Sequence, residues 1–210
     1  MMITISFDGV GLSFGSHVLF DSLNTTLSPG QITMVTGHNG SGKSTFLQLA
    51  AKFITPDTGK VVAMDDGTLI QKEAFRSRLA MVTPELKLYA KLTAEENLRF
   101  LLGLRELNPS IYEIHQLLDR VGLKCEEICN TFVSKLSTGM RQRVKLAMLL
   151  AADADVWILD EPCANLDASG LQLVIKEARQ AASDGKLILW ATNDPREEAA
   201  ADAIIHLPWN

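Results

Sequence analysis

Cysteine is scarce in this sequence, with three in 210 residues: Cys125, Cys129 and Cys163. An odd and sparse set excludes a disulfide framework and fits a reducing compartment. Cys125 and Cys129 have the i, i+4 spacing of one helix face, but no His stands beside them to complete the four ligands of a structural zinc, so they read as plain helix residues. Long apolar runs are missing as well. Val156-Trp157-Ile158-Leu159 and Ile188-Leu189-Trp190-Ala191 are far shorter than the ~20 residues a membrane-crossing helix needs. Near the N-terminus, Asp8 and a Gly-punctuated alternation occupy the place of a signal peptide's apolar stretch. Basic excess is absent too: 20 Lys and Arg against 25 Asp and Glu leave a formal charge of -5, and no Lys/Arg stripe runs along the chain. Nucleic acid is therefore not an expected partner, because phosphate neutralisation supplies most of such affinity.

What is present is an ordinary globular composition, 47% hydrophobic and 21% charged, so the whole chain is expected to fold. Its length suits one domain with an inserted lobe and one nucleotide site, not two full domains. Ile3, Ile5 and Phe7 alternate with polar residues as in a strand, and Ser28-Pro29-Gly30 turns the chain into an apolar run from Ile32 to Val35. A Gly-rich loop follows, then a helix predicted over 43–54, a turn at Pro56 to Gly59, and strands at 60–64 and 79–82. From Thr93 to about Leu150 the signals are helical. Thr93 with Glu96 forms a capping box, and Asn108-Pro109 reads as a cap followed by Pro at the first helical position. Afterwards strands (156–159, 187–191, 203–207) alternate with helices (168–183 and a short one after Asp194-Pro195). This order predicts an α/β fold with a mostly parallel sheet, an N-terminal antiparallel β part and an inserted helical part.

Gly37-His38-Asn39-Gly40-Ser41-Gly42-Lys43-Ser44, with Thr45 after it, matches the phosphate-loop pattern between a strand and a helix. The chemistry explains the spacing. Glycines let backbone N–H groups curl round phosphates at a helix N-terminus, Lys43 reaches the β- and γ-phosphates of ATP, and the Ser44 hydroxyl ligates Mg2+. Four apolar residues followed by Asp160-Glu161 place two carboxylates at the C-terminal edge of a buried parallel strand, where such sheets bind ligands. Asp160 is the candidate metal ligand and Glu161 the candidate general base.

Leu136-Ser137-Thr138-Gly139-Met140-Arg141-Gln142-Arg143 resembles the signature sequence of ABC ATPases, and the resemblance runs almost end to end. It divides the single domain into a phosphate-loop NTPase core (1–83 and 151–210) and a helical subdomain (about 84–150). Phe14-Gly15 resembles the family's adenine platform, although Phe14 alone could equally be a core residue. Thr93 to Leu98 resembles the start of the helical subdomain, and Ala164-Asn165-Leu166-Asp167 the D-loop. The resemblance implies that Ser137 and Gly139 meet the γ-phosphate held by a second ABC ATPase subunit, here a second copy of the chain. It also implies a separate transmembrane permease, docked near Pro84 to Leu92 through Leu86, Leu88 and Tyr89, that holds the chain at the cytoplasmic face of the membrane. Compact exporter ATPases, of the haem-exporter or drug and antibiotic type, are the most similar group.

Two positions depart from the family pattern. Pro84, followed by Glu85, stands where a Gln is usual, and Asn193 stands where a His is usual. An Asn amide can donate to a phosphate oxygen but carries no charge. These departures keep two other readings in play: an ABC ATPase outside transport, of the iron–sulfur assembly type, and a weakly hydrolysing nucleotide-dependent regulator.

Overall fold

The computed structural model describes residues 2–124, 128 and 130–209; the Cys125/Cys129 pair lies outside them. By its contacts the chain forms two compact units.

The first unit comprises residues up to Met81, Ala154–Glu161 and those from Glu177 onward. Strands β1 (Ile3–Phe14) and β2 (His17–Leu27) form a hairpin, and β1 also pairs antiparallel with β4 (Thr58–Asp65), which pairs with the short β5 (Thr68–Leu69). The second sheet has the order β6-β7-β8-β3-β9, from Leu79–Val82, Val156–Asp160, Leu187–Thr192, Ile32–Thr36 and Ala203–His206. Registers β7 to β8, β8 to β3 and β3 to β9 are parallel. Strands β3, β7 and β8 are buried at every residue, as their unbroken apolar runs require.

Helix α1 (Lys43–Ala50) seals the antiparallel sheet, with Phe46 stacked on Phe7 at 4.7 Å and meeting Phe20 edge-on at 6.3 Å. All three rings are buried, each contributing about 1.5–3 kcal/mol. The helix stops at Ala51, short of the predicted Ile54, because Lys52 turns to φ +56. Helix α2 (Lys72–Ser77) and β5 gave no sequence signal, being six and two residues long. Arg78 ties this unit at one corner, donating to Asp65 at 2.7 Å and to Asp155 at 2.6 Å.

The second unit comprises Val82–Asp153 and Pro162–Lys176. It contains α3 (Ala94–Gly103), α4 (Ile111–Arg120) and α5 (Thr138–Ala151), which pack on one another, and the first half of α6 (Ala168–Ser183). The Thr93/Glu96 capping box is present. At α4 the cap is Ser110, in a capping box with Glu113, and not Asn108-Pro109; Ser110 has the hydroxyl that the N3 amide needs. Residues 162–176 also belong here, whereas the sequence reading drew the boundary at about 150. The α5 side chains hold them: Gln142 donates to the Pro162 carbonyl at 2.7 Å, and Arg143 reaches Asp167 and Ser169.

Candidate functional site

The Gly-rich loop runs from the end of β3 into α1. Gly37, at φ +149, passes so close to the Leu207 carbonyl that a Cβ would stand 2.4 Å from it, so no other residue fits. Within the loop the Lys43 ammonium, 7% exposed, donates to the carbonyls of Gly37 at 2.7 Å and His38 at 3.2 Å. A cation is thus held inside the loop by two backbone carbonyls, partners that phosphate oxygens can replace. Beneath it the Ser41 hydroxyl is buried without a hydrogen-bond partner, an orphan that a bound anion or water would satisfy.

A cavity of about 350 Å³ opens on this loop, lined by Phe14, His17, Leu19, Asn39, Gly40, Gly42, Lys43, Ser44, Thr45 and Glu161. That volume lies in the range of small-molecule sites, ~300–1,000 Å³. Phe14 is 58% exposed at the tip of the β1–β2 hairpin, so it is not a core residue: the hairpin turn projects its ring to the cavity wall. Glu161 leaves β7 at φ +47, unusual for a non-glycine residue, and its amide donates to the Ala191 carbonyl at 2.9 Å. Asp160, one residue earlier, is 4% exposed at the end of the strand.

Asn193 follows β8, and its Nδ2 donates to Asn39 Oδ1 at 3.1 Å, which brings it to the Gly-rich loop. Its turn is braced from behind. The buried Trp190 indole donates to Glu197 on α7 (Pro195–Glu198) at 2.7 Å, and the Asp194 amide donates to the Thr192 hydroxyl at 3.0 Å. Burial pushes the Glu197 carboxyl above its ordinary range, and the charges of Asp194 and Glu161 add to this against the hydrogen bonds from Thr192 and Trp190.

Gly37, Ser41, Asp160 and Asn193 therefore adjoin the cavity without lining it. Sequence reasoning missed His17 and Leu19. The only signal was their place just beyond the hairpin turn, where Phe14 pairs with His17.

Ser137 and Gly139 lie in the other unit. Ser137 caps α5, its hydroxyl accepting from the Met140 amide at 3.1 Å, and it is exposed. Gly139 sits under the D-loop segment, where a Cβ would be 3.0 Å from the Asn165 carbonyl. Also in this unit, Lys145 on α5 is buried and donates to the carbonyls of Thr83 at 2.9 Å and Pro84 at 3.4 Å. Burial depresses the Lys145 ammonium, opposed by the charge of Glu85. The backbone carbonyls at and before Pro84, the position where a Gln is usual, are thus already engaged.

Residues 20–164 match the ABC transporter family. The chain belongs to this family. Its relatives include the cytochrome c biogenesis ATP-binding export protein CcmA of Aliivibrio fischeri, 33% identical over 177 residues and covering 84% of this chain and 85% of that protein. The Nod factor export ATP-binding protein I of Rhizobium johnstonii is 30% identical, over 91% of this chain and 61% of that protein. Among solved structures, a bacterial Atm1-family ABC exporter with ATP bound superposes with a TM-score of 0.83 at 22% identity, over 99% of this chain and 37% of that one. The dimeric cassette MJ0796 gives 0.80 at 24%, over 97% and 94%. The chain is thus an ATP-binding, ATP-hydrolysing subunit of an ABC transporter. No helix among the described residues is long and apolar enough to cross a membrane.

Proposed function

We propose that the chain hydrolyses ATP in the cavity above the Gly-rich loop, as one of two copies working against an exporter permease at the cytoplasmic face of the membrane. One observation carries this reading: Lys43 and Glu161, the cation for the phosphates and the base for water, line the same cavity.

On ATP binding the Lys43 ammonium exchanges the Gly37 and His38 carbonyls for β- and γ-phosphate oxygens, and the loop amides receive the remaining charge. Phe14 offers its exposed face to adenine. The Ser44 hydroxyl and Asp160 would hold Mg2+; among the described residues no group of three or more acidic, His or Cys side chains converges on a metal, which suits an ion held mostly by phosphate and water. Bound there, Mg2+ would supply positive charge against the phosphates. Glu161 takes a proton from the attacking water, and Asn193 turns its amide from Asn39 to the γ-phosphate. Ser137 and the amide of Gly139, at the N-terminus of α5 in one copy, meet the γ-phosphate bound by the other.

The permease contacts the segment Pro84 to Leu92. Tyr89, half-exposed and edge-on to Phe100 at 4.9 Å, offers it an aromatic surface, while the buried Asn97 fixes the segment by bonding both the amide and the carbonyl of Tyr89. Relatives named for export favour an exporter. The test is size-exclusion chromatography of Glu161→Gln with magnesium-ATP at micromolar protein. A dimer that reverts to monomer without nucleotide supports the reading, and monomer under both conditions contradicts it.

A further inference from the structure

Away from the nucleotide cavity, the first unit has a second pocket of about 220 Å³, lined by Lys52, Ile54, Thr55, Pro56, Gly59, Lys60, Val61 and Lys72. Three of these are lysines and none is a carboxylate, in a chain whose net charge is -5. Local like charge of this kind raises the free energy of the fold unless something opposes it.

Lys52 is also held in place. Lys52 sits at φ +56 just past α1, its carbonyl accepts from Arg76 at 2.8 Å, and its ammonium lies 5.8 Å from the centre of the buried Phe75 ring. Arg76 itself lies over Phe53 at 5.3 Å. Lys52 and Lys72 are half-buried. Burial first, and the neighbouring Lys72 second, lower the Lys52 pKa. Of the acids nearby, Asp8 meets Lys60 at the rim, at 3.5 Å and mostly in solvent, while Asp57 accepts from the Ser13 amide.

We propose that this pocket binds a phosphate group, with Lys52 and Lys72 as paired cations and Lys60 and the Thr55 hydroxyl at its rim. Its volume, below the ~300–1,000 Å³ of drug-sized ligand sites, suits a group as small as phosphate. A lipid headgroup and a free phosphate share this chemistry. The site is separate from ATP hydrolysis, and none of its residues belongs to the nucleotide cavity.

Amine-reactive labelling read by mass spectrometry tests it on the full chain, with magnesium-ADP, which releases no phosphate, saturating the Gly-rich loop so that Lys43 is accounted for. Labelling requires the neutral amine, so Lys52 is expected to react faster than the exposed Lys91. A phosphate beside it favours the charged amine and slows labelling of Lys52 and Lys72 by about tenfold, and of Lys60 to a smaller extent, with Lys91 unchanged. Inorganic phosphate is one probe; vesicles containing phosphatidic acid, against phosphatidylcholine alone, are the other. Protection by phosphate in solution supports a soluble ligand, and protection by acidic vesicles alone supports a headgroup. In the Lys52→Gln/Lys72→Gln variant, protection of Lys60 is expected to vanish while ATP turnover persists. Equal labelling of Lys52 with and without both probes, or Lys60 protection that survives in the variant, overturns the proposal.

Discussion

Replacing Asn193 by Ala removes the one side-chain amide that the turn after β8 aims at the Gly-rich loop. In the structure that amide donates to Asn39 Oδ1 at 3.1 Å, between two exposed side chains. Such a bond in water is worth at most about 1 kcal/mol, so losing it leaves the fold nearly unchanged. In the transition state, a preorganised donor on the γ-phosphate is worth about 3 kcal/mol. Subtracting the bond to Asn39 that must first be given up leaves about 2 kcal/mol, or about thirtyfold in rate. Asn193→Ala is therefore expected to lower kcat by about thirtyfold, with little change in the KM for ATP, in a steady-state phosphate-release assay. Asn193→His, which restores a chargeable donor, is expected to raise kcat above that of the natural chain. If Asn193→Ala turned over within about twofold of the natural chain, Asn193 would have no part in the reaction and the reasoning from P–O charge development would fail.

Lys43→Ala removes the one lysine or arginine among the described residues lining the nucleotide cavity, which should weaken ATP binding by about ten- to a hundredfold in an equilibrium titration, the equivalent of about 1.5–3 kcal/mol. Phe14→Ala leaves stability unchanged, because the ring is exposed, but is expected to raise the Kd for ATP by about fivefold from lost stacking of about 1 kcal/mol. Glu197 has a raised carboxyl pKa, so the stability it contributes is complete below the unfolded-state value and is lost as pH rises through the folded one. In thermal melts across that window Glu197→Gln should gain on the natural chain as pH rises, and a pH-independent gap would show that the carboxyl stays ionised throughout.

Much of the site was legible because its signals are local. The Gly-rich loop, the acids ending β7 and the Thr93 capping box are contiguous or closely spaced, and each lies where its motif places it. Elements fixed by distant contacts were not legible. Nothing near Phe14 in sequence says whether its ring faces core or solvent; the hairpin decides it. Asn193 and Asn39 meet across 154 residues, and Lys145 reaches Thr83 across 62. Residues 162–176 were assigned to the core by chain order, whereas α5 side chains recruit them to the helical unit. At α4, Pro109 suggested the first helical turn with Asn108 as cap, but the Ser110 hydroxyl and Glu113 make the better cap two residues later.

The central claim, that this chain hydrolyses ATP with Glu161 as base beside Lys43, is tested most directly by magnesium-dependent phosphate release from the natural chain and Glu161→Gln side by side, with the permease reconstituted and ATP binding measured in both. The account predicts equal ATP binding, measurable turnover in the natural chain and a loss of about a hundredfold or more in the variant. Equal rates in the two proteins would contradict it.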